Sequence, residues 1–166
     1  MGKIGLYSNL TMIKTNVVAQ NAEEVIRLLA KSALENNVIN SSFVEAVLER
    51  EKDYPTGLPT AIPIAIPHIH DGCLKSFFAM AVLKEPVEFK CMGDPDEIVN
   101  APLVFLFGIT DPSYQTAVLR KFSTIFQDED ELKKLMELSD NGELLNKMHT
   151  LLGDYLVLED ESTLGK

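Results

Sequence analysis

Cysteine is scarce: the 166-residue chain has two, Cys73 and Cys91. Two thiols at that spacing make no disulfide framework, so an apolar core rather than cross-links must hold the chain, and both read as free thiols of a reducing compartment. No apolar run reaches the roughly 18–20 residues needed to cross a bilayer. The opening residues, MGKIGLYSNLTMIK, lack the long apolar stretch of a secretory signal. A cytoplasmic location without direct membrane insertion is the expectation. Basic residues are outnumbered, 15 against 25 acidic for a formal net charge of −10, and without a basic footprint to neutralise phosphates the chain is not expected to bind nucleic acid. A glycine-rich nucleotide loop and a G-x-S-x-G elbow are also missing. No bound nucleotide or other cofactor is expected.

What remains is a chain long enough for one self-sufficient core. From Asn21, a plausible N-cap, Val25, Leu28, Leu29 and Ala33 recur at helical spacing behind Glu23 and Glu24, which suit the positive end of a helix dipole. A second helix follows, capped by Ser41 or Ser42, with Val44, Val47 and Leu48 as its buried stripe and Arg50 at the flank of that stripe. The stretch MIKTNVVA is compatible with a short strand. FFAMAVL (residues 77–83) reads as a buried strand, and PVEFKCM alternates, with Val87, Phe89 and Cys91 on one face. LVFLFGI (residues 103–109) is apolar almost throughout, the pattern of a central strand covered on both sides. Asp111-Pro112 signals a helix start, and Val118, Leu119, Phe122, Ile125 and Phe126 supply that helix's apolar stripe. DEDELKKLMEL and GELLNKMHTLL predict two more helices, and the last fourteen residues read as a frayed tail with room for one docked apolar turn. This order predicts an α/β single domain over residues 1–152, a mixed four- to five-stranded sheet sandwiched between helical layers, with a tail over 153–166.

The segment TGLPTAIPIAIPHIH (residues 56–70) holds three prolines and two of the three histidines. Each proline lacks an amide donor and biases the residue before it toward extended geometry, so the segment is a short strand and its exit loop. The apolar AIPIAI followed by Pro67 delivers His68 to a sheet rim, and an imidazole held there can act as base, metal ligand or nucleophile near neutral pH. His68 and His70 share a face if the strand continues, with Cys73 nearby. No further ligand completes a metal site, so none is expected, and a metal-dependent hydrolase ranks behind other readings.

The segment VLEREKDYPTGLPTAIPIAIPHIH, with an R-E pair, T-G and A-I-P-H in that order, resembles the active-site region of the enzyme IIA components of the bacterial sugar phosphotransferase system, fructose/mannitol type (type 2). The similarity spans roughly residues 22–148. The Tyr-Pro-Thr-Gly-Leu spelling and the longer insert before Ile64 look like the galactitol-specific branch. The resemblance implies that His68 takes a phosphoryl group from the phosphohistidine carrier protein and passes it to a IIB component for carbohydrate uptake, and through IIB reaches a membrane IIC component. It implies that Arg50 lies beside the histidine, where a planar guanidinium suits phosphate oxygens. Mannitol-type members carry a second histidine in the first turn of the helix after the central strand; Gln115 stands there in this chain, or Tyr114 if the alignment moves by one. Gln115 is then expected as a neutral stabiliser, with Ser113 or backbone amides of the same helix start helping to hold the anion. A phosphorylation-dependent regulatory protein of the nitrogen-regulatory IIA kind would use the same histidine.

Overall fold

The computed structural model describes residues 5–158. Five helices form where capping side chains and apolar spacing coincide. They are α1 (Ala22–Glu35), α2 (Ser41–Asp53), α3 (Gln115–Phe126), α4 (Glu129–Glu137) and α5 (Asn141–Leu152). Asn21 caps α1 as expected, its side chain accepting from the Glu24 amide. The cap of α2 is Asn40 rather than either serine, its carboxamide oxygen accepting from the Ser42 amide. Asp128 and Asp140 cap α4 and α5 in the same way. The Asp111-Pro112 start is real, but a 3-10 turn, Pro112–Tyr114, precedes α3.

Seven strands form one mixed sheet: β1 (Leu6–Ser8), β2 (Ile13–Val17), β3 (Gly57–Leu58), β4 (Ile64–Ala65), β5 (Phe77–Cys91), β6 (Asp94–Gly108) and β7 (Leu156–Leu158). The strand order is β3-β4-β6-β5-β1-β7, with β2 also on β5. The expected class therefore holds, with more strands than the four or five anticipated, because β3 and β4 are two residues long and β1 and β7 three. Such elements are too short for a period-two pattern to register. The two apolar stretches at 77–83 and 86–92 are one strand, β5, pairing antiparallel with β6 through a register shift between Val82 and Val87. Gly93, at φ +80°, makes the tight turn between them. The segment anticipated as a frayed tail begins differently: Gly153–Tyr155 is a 3-10 turn, and β7 pairs parallel with β1, Leu6 opposite Leu156. Residues 159–166 lie outside the described part.

Period-two alternation sorts the sheet's side chains into two cores. Phe77, Ala79, Ala81, Val104 and Leu106 face α1 and α2; Phe78, Met80, Leu103, Phe105 and Phe107 face α3, α4 and α5. Phe122 of α3 anchors the second core, with ring centroids 5.6, 6.1 and 5.2 Å from those of Phe78, Phe105 and Phe107. β6 thereby runs covered on both faces, as its composition predicts. It ends at Gly108, beside the exit of the proline-rich segment, where Phe107 and His68 form a parallel bridge. Both helical layers meet there.

Candidate active site

Pro67 places its carbonyl to accept the Phe107 amide at 3.2 Å, which fixes the chain one residue before His68. The His68 ring then lies flat on the Phe107 ring, centroids 4.8 Å apart and planes 3° from parallel. Its Nδ1 is 2.6 Å from the Ile66 carbonyl oxygen. A carbonyl only accepts, so Nδ1 carries the proton and Nε2 keeps its lone pair. Among the described residues Nε2 has no hydrogen-bond partner. Burial pushes the ring's pKa below the usual histidine value and the Arg50 charge pushes the same way, against the Ile66 bond. The imidazole is therefore neutral at physiological pH, with one nitrogen available as a nucleophile.

His68 is 7% exposed, and that small exposed part forms the wall of a cavity of about 580 Å³. The cavity brings together His68, Arg50 and Gln115, three residues singled out from sequence that arrive from the β4 exit, the last turns of α2 and the first turn of α3. Among the described residues no carboxylate lines it, and Arg50 is the only permanently charged one that does. In a chain of net charge −10 this is a local reversal of sign. Among the described residues no carboxylate closes a salt bridge with Arg50; its guanidinium sits over the Tyr54 ring, 5.2 Å from the centroid. The fork is free to meet an anion.

Gln115, rather than Tyr114, lines the cavity; Tyr114 packs against the second core. Ser113 lies apart from these residues. It is absent from the cavity wall, its amide and hydroxyl both donate to Asp111 Oδ1, at 3.0 and 2.8 Å, and the ionised Asp111 disfavours a second anion at that turn. Those hydrogen bonds hold the Asp111 carboxyl below the ordinary carboxylate range.

His70 does not join His68. It is exposed and lies 3.3 Å from Asp71 Oδ1. Among the described residues no group of three or more His, Cys, Asp or Glu side chains is arranged to hold a metal. The Cys73 thiol donates to the Lys75 carbonyl at 3.2 Å, and burial pushes its pKa up to about 11, which makes it a poor nucleophile.

Sequence reasoning missed several neighbours. Glu51 accepts from Thr56 twice, from the amide at 2.9 Å and from the hydroxyl at 2.8 Å. Burial pushes this carboxyl up to about 7, opposed by the two Thr56 bonds and by Arg50. Met92, at the tip of the β5–β6 hairpin, Ser123 of α3 and Gln127, which caps the end of that helix, also reach the cavity. Only the spacing of the R-E and T-G pairs hinted at the first of these contacts.

Comparison with known proteins gives this geometry a family. The structure resembles the complex of enzyme IIA for mannitol with phosphorylated enzyme IIB from Escherichia coli, with a TM-score of 0.69, 24% identity, and coverage of 89% of this chain and 98% of that one. It also resembles the nitrogen regulatory protein IIA-Ntr of Neisseria meningitidis, with a TM-score of 0.69, 20% identity, and coverage of 87% and 95%. In sequence, the chain is 25% identical over 130 residues to the mannitol-specific phosphotransferase enzyme IIA component of Mycoplasma pneumoniae, covering 77% of this chain and 85% of that protein. Residues 7–149 match the profile of the phosphoenolpyruvate-dependent sugar phosphotransferase system family EIIA 2. The chain belongs to that family, the type-2 IIA components.

Proposed function

We propose that this chain is a phosphoryl carrier in which His68 Nε2 accepts a phosphoryl group from the phosphohistidine carrier protein and hands it to a IIB component during carbohydrate uptake. The observation that carries the reading is a neutral, Nδ1-protonated imidazole in a cavity shared with Arg50, where among the described residues no carboxylate lines the wall or pairs with the arginine. The Nε2 lone pair attacks phosphorus as the P–N bond of the donor breaks, and the bonding pair returns to the donor imidazole. One P–N bond forms for each one lost, and Nδ1 keeps its proton against the Ile66 carbonyl. That retained proton leaves the phosphorylated ring cationic and its P–N bond ready to break again. Little covalent chemistry is asked of the protein, so positioning and charge stabilisation carry the rate. Arg50 meets the arriving negative charge, and Gln115 donates a neutral hydrogen bond.

The exposed Tyr54 (64%) and Met92 (43%) flank the cavity. They give partner proteins an apolar rim for the close approach that in-line transfer needs. The family kinship with mannitol-specific components favours transport over the nitrogen-regulatory role, and the spelling at 54–58 favours a galactitol-like branch. The test is incubation with phosphoenolpyruvate, enzyme I and the phosphohistidine carrier, followed by mass measurement. Wild type gains one acid-labile phosphate and His68→Ala gains none; a wild type that stays unmodified, or a variant that still gains phosphate, refutes the assignment.

A further inference from the structure

Glu51 stands where local physics disfavours it. It occupies the last turn of α2, where a negative charge opposes the helix dipole, and it is half-buried. Costs of this kind persist where a side chain has a task. The carboxylate turns back to bind both Thr56 donors just beyond the end of the helix. The Thr56 carbonyl in turn accepts the Ile66 amide at 3.3 Å, and the Ile66 carbonyl holds His68 Nδ1 at 2.6 Å. Three links therefore run without a gap from Glu51 to the reacting ring. Glu51 itself is absent from the His68 cavity wall, whereas Thr56, Ile66 and His68 all line it.

We propose that Glu51 is a positioning residue that fixes the tautomer and orientation of His68 through Thr56 and Ile66. The inference rests on the phosphoryl-carrier reading for its functional consequence, though not for its structural one. Its mechanism is geometric. The two Thr56 bonds pin the short turn between α2 and β3, that turn sets the height of the Ile66 carbonyl, and the carbonyl keeps the proton on Nδ1 so that Nε2 stays nucleophilic. Without Glu51 the Ile66 carbonyl is free to drift, and the ring samples the opposite tautomer and other rotations.

Ring-nitrogen NMR of 15N-labelled protein and phosphoryl-acceptance rates, measured on folded wild type, Glu51→Ala, Glu51→Gln and Thr56→Val, test this. Wild-type His68 shows a protonated Nδ1 and a bare Nε2. Glu51→Ala shows mixed tautomers and accepts phosphate about ten- to a hundredfold more slowly, the scale of a misplaced reacting group. Gln can accept from the Thr56 amide and donate to its hydroxyl, so Glu51→Gln keeps the tautomer and stays within about threefold of wild type. Should Glu51→Ala not fold, Thr56→Val, which loses only the hydroxyl link, shows the same shift at smaller size. Wild-type spectra and rates in Glu51→Ala, or in Thr56→Val where it alone folds, overturn the proposal. So does a Glu51→Gln variant as impaired as Glu51→Ala, because that would assign the effect to charge. If wild type accepts no phosphate, the carrier reading fails while the nitrogen spectra still decide the role of Glu51.

Discussion

On the side of the cavity built from α2, β3 and β4, the wall residues Thr56, Ile66 and His68 are joined bond by bond to Glu51 behind them. The opposite wall comes from α3, and its Gln115 side chain makes no hydrogen bond to that network or to anything else among the described residues. One wall is set before any partner arrives. The other offers a donor whose ordering is deferred until an anion is present, at a modest cost in side-chain entropy. For a phosphoryl carrier as proposed, the difference teaches where each requirement lies: the nucleophile needs a fixed tautomer, whereas a phosphate oxygen can be met by a flexible amide. Arg50 is intermediate, anchored on a helix but paired only with the Tyr54 ring.

Substitutions can break this contrast. The largest effect is expected for Arg50→Ala, which removes a fixed positive charge from the cavity wall and slows phosphorylation of His68 by about a hundred- to a thousandfold, the scale of losing one preorganised charge-stabilising donor. Arg50→Lys, a point charge without the planar fork, recovers part of that loss. Stopped-flow or quenched-flow transfer from the phosphorylated carrier measures both. Gln115→Ala is expected to cost less, about tenfold, the size of one hydrogen bond to a charged group. An unchanged rate would remove the α3 wall from the chemistry.

The two ends of the bonded series, His68 and Glu51, differ in their response to pH. His68 has a lowered pKa, so as pH falls below its ordinary 6.5 the unfolded chain takes up a proton that the folded ring refuses, and this contribution to stability is lost on the acid side. Glu51 acts in the opposite sense. Raised from 4.5 to about 7, it contributes stability that is complete below its unfolded pKa and disappears as pH rises through about 7. Urea titrations at pH 5 and pH 8 should therefore show Glu51→Gln gaining on wild type at the higher pH and His68→Gln gaining at the lower. The smallest expected change is a control remote from both walls: Asn21→Ala removes the α1 cap and costs about 1 kcal/mol of stability, with phosphorylation unaltered.

Much of the fold could be read in advance because its signals are local. Asn21, Asp111, Asp128 and Asp140 each cap a helix or turn within two or three residues of themselves. The alternating and continuous apolar runs of β5 and β6 declare which faces are covered. Asn40 was passed over in favour of the serines beside it, since all three are good cap residues and only backbone geometry separates them. β1 and β7 were hidden because three residues hold no period, and the prolines of residues 56–70 showed a short strand without separating β3 from β4. The outer half of β6, an acidic and largely exposed stretch, offered no apolar pattern either. In the cavity, His68, Arg50 and Gln115 were legible through family spelling. That the Ser113 donors are claimed by Asp111, two residues before it, was not legible in the spelling. The Glu51–Thr56–Ile66 series escaped notice since it joins three elements through two main-chain carbonyls, groups that leave no mark in a sequence.

The long β5–β6 hairpin and the short β7 edge sit at opposite extremes of chain separation. Hairpin partners close across a two-residue tip, while Leu6 must find Leu156. Loop-closure entropy makes the first pairing early in folding and the second late. In native-state hydrogen exchange the β1–β7 amides should thus open first, as a separate cooperative unit. The His68 cavity lies toward the other margin of the sheet, beyond β6, so the protein can loosen at its last-assembled edge while its histidine stays in register.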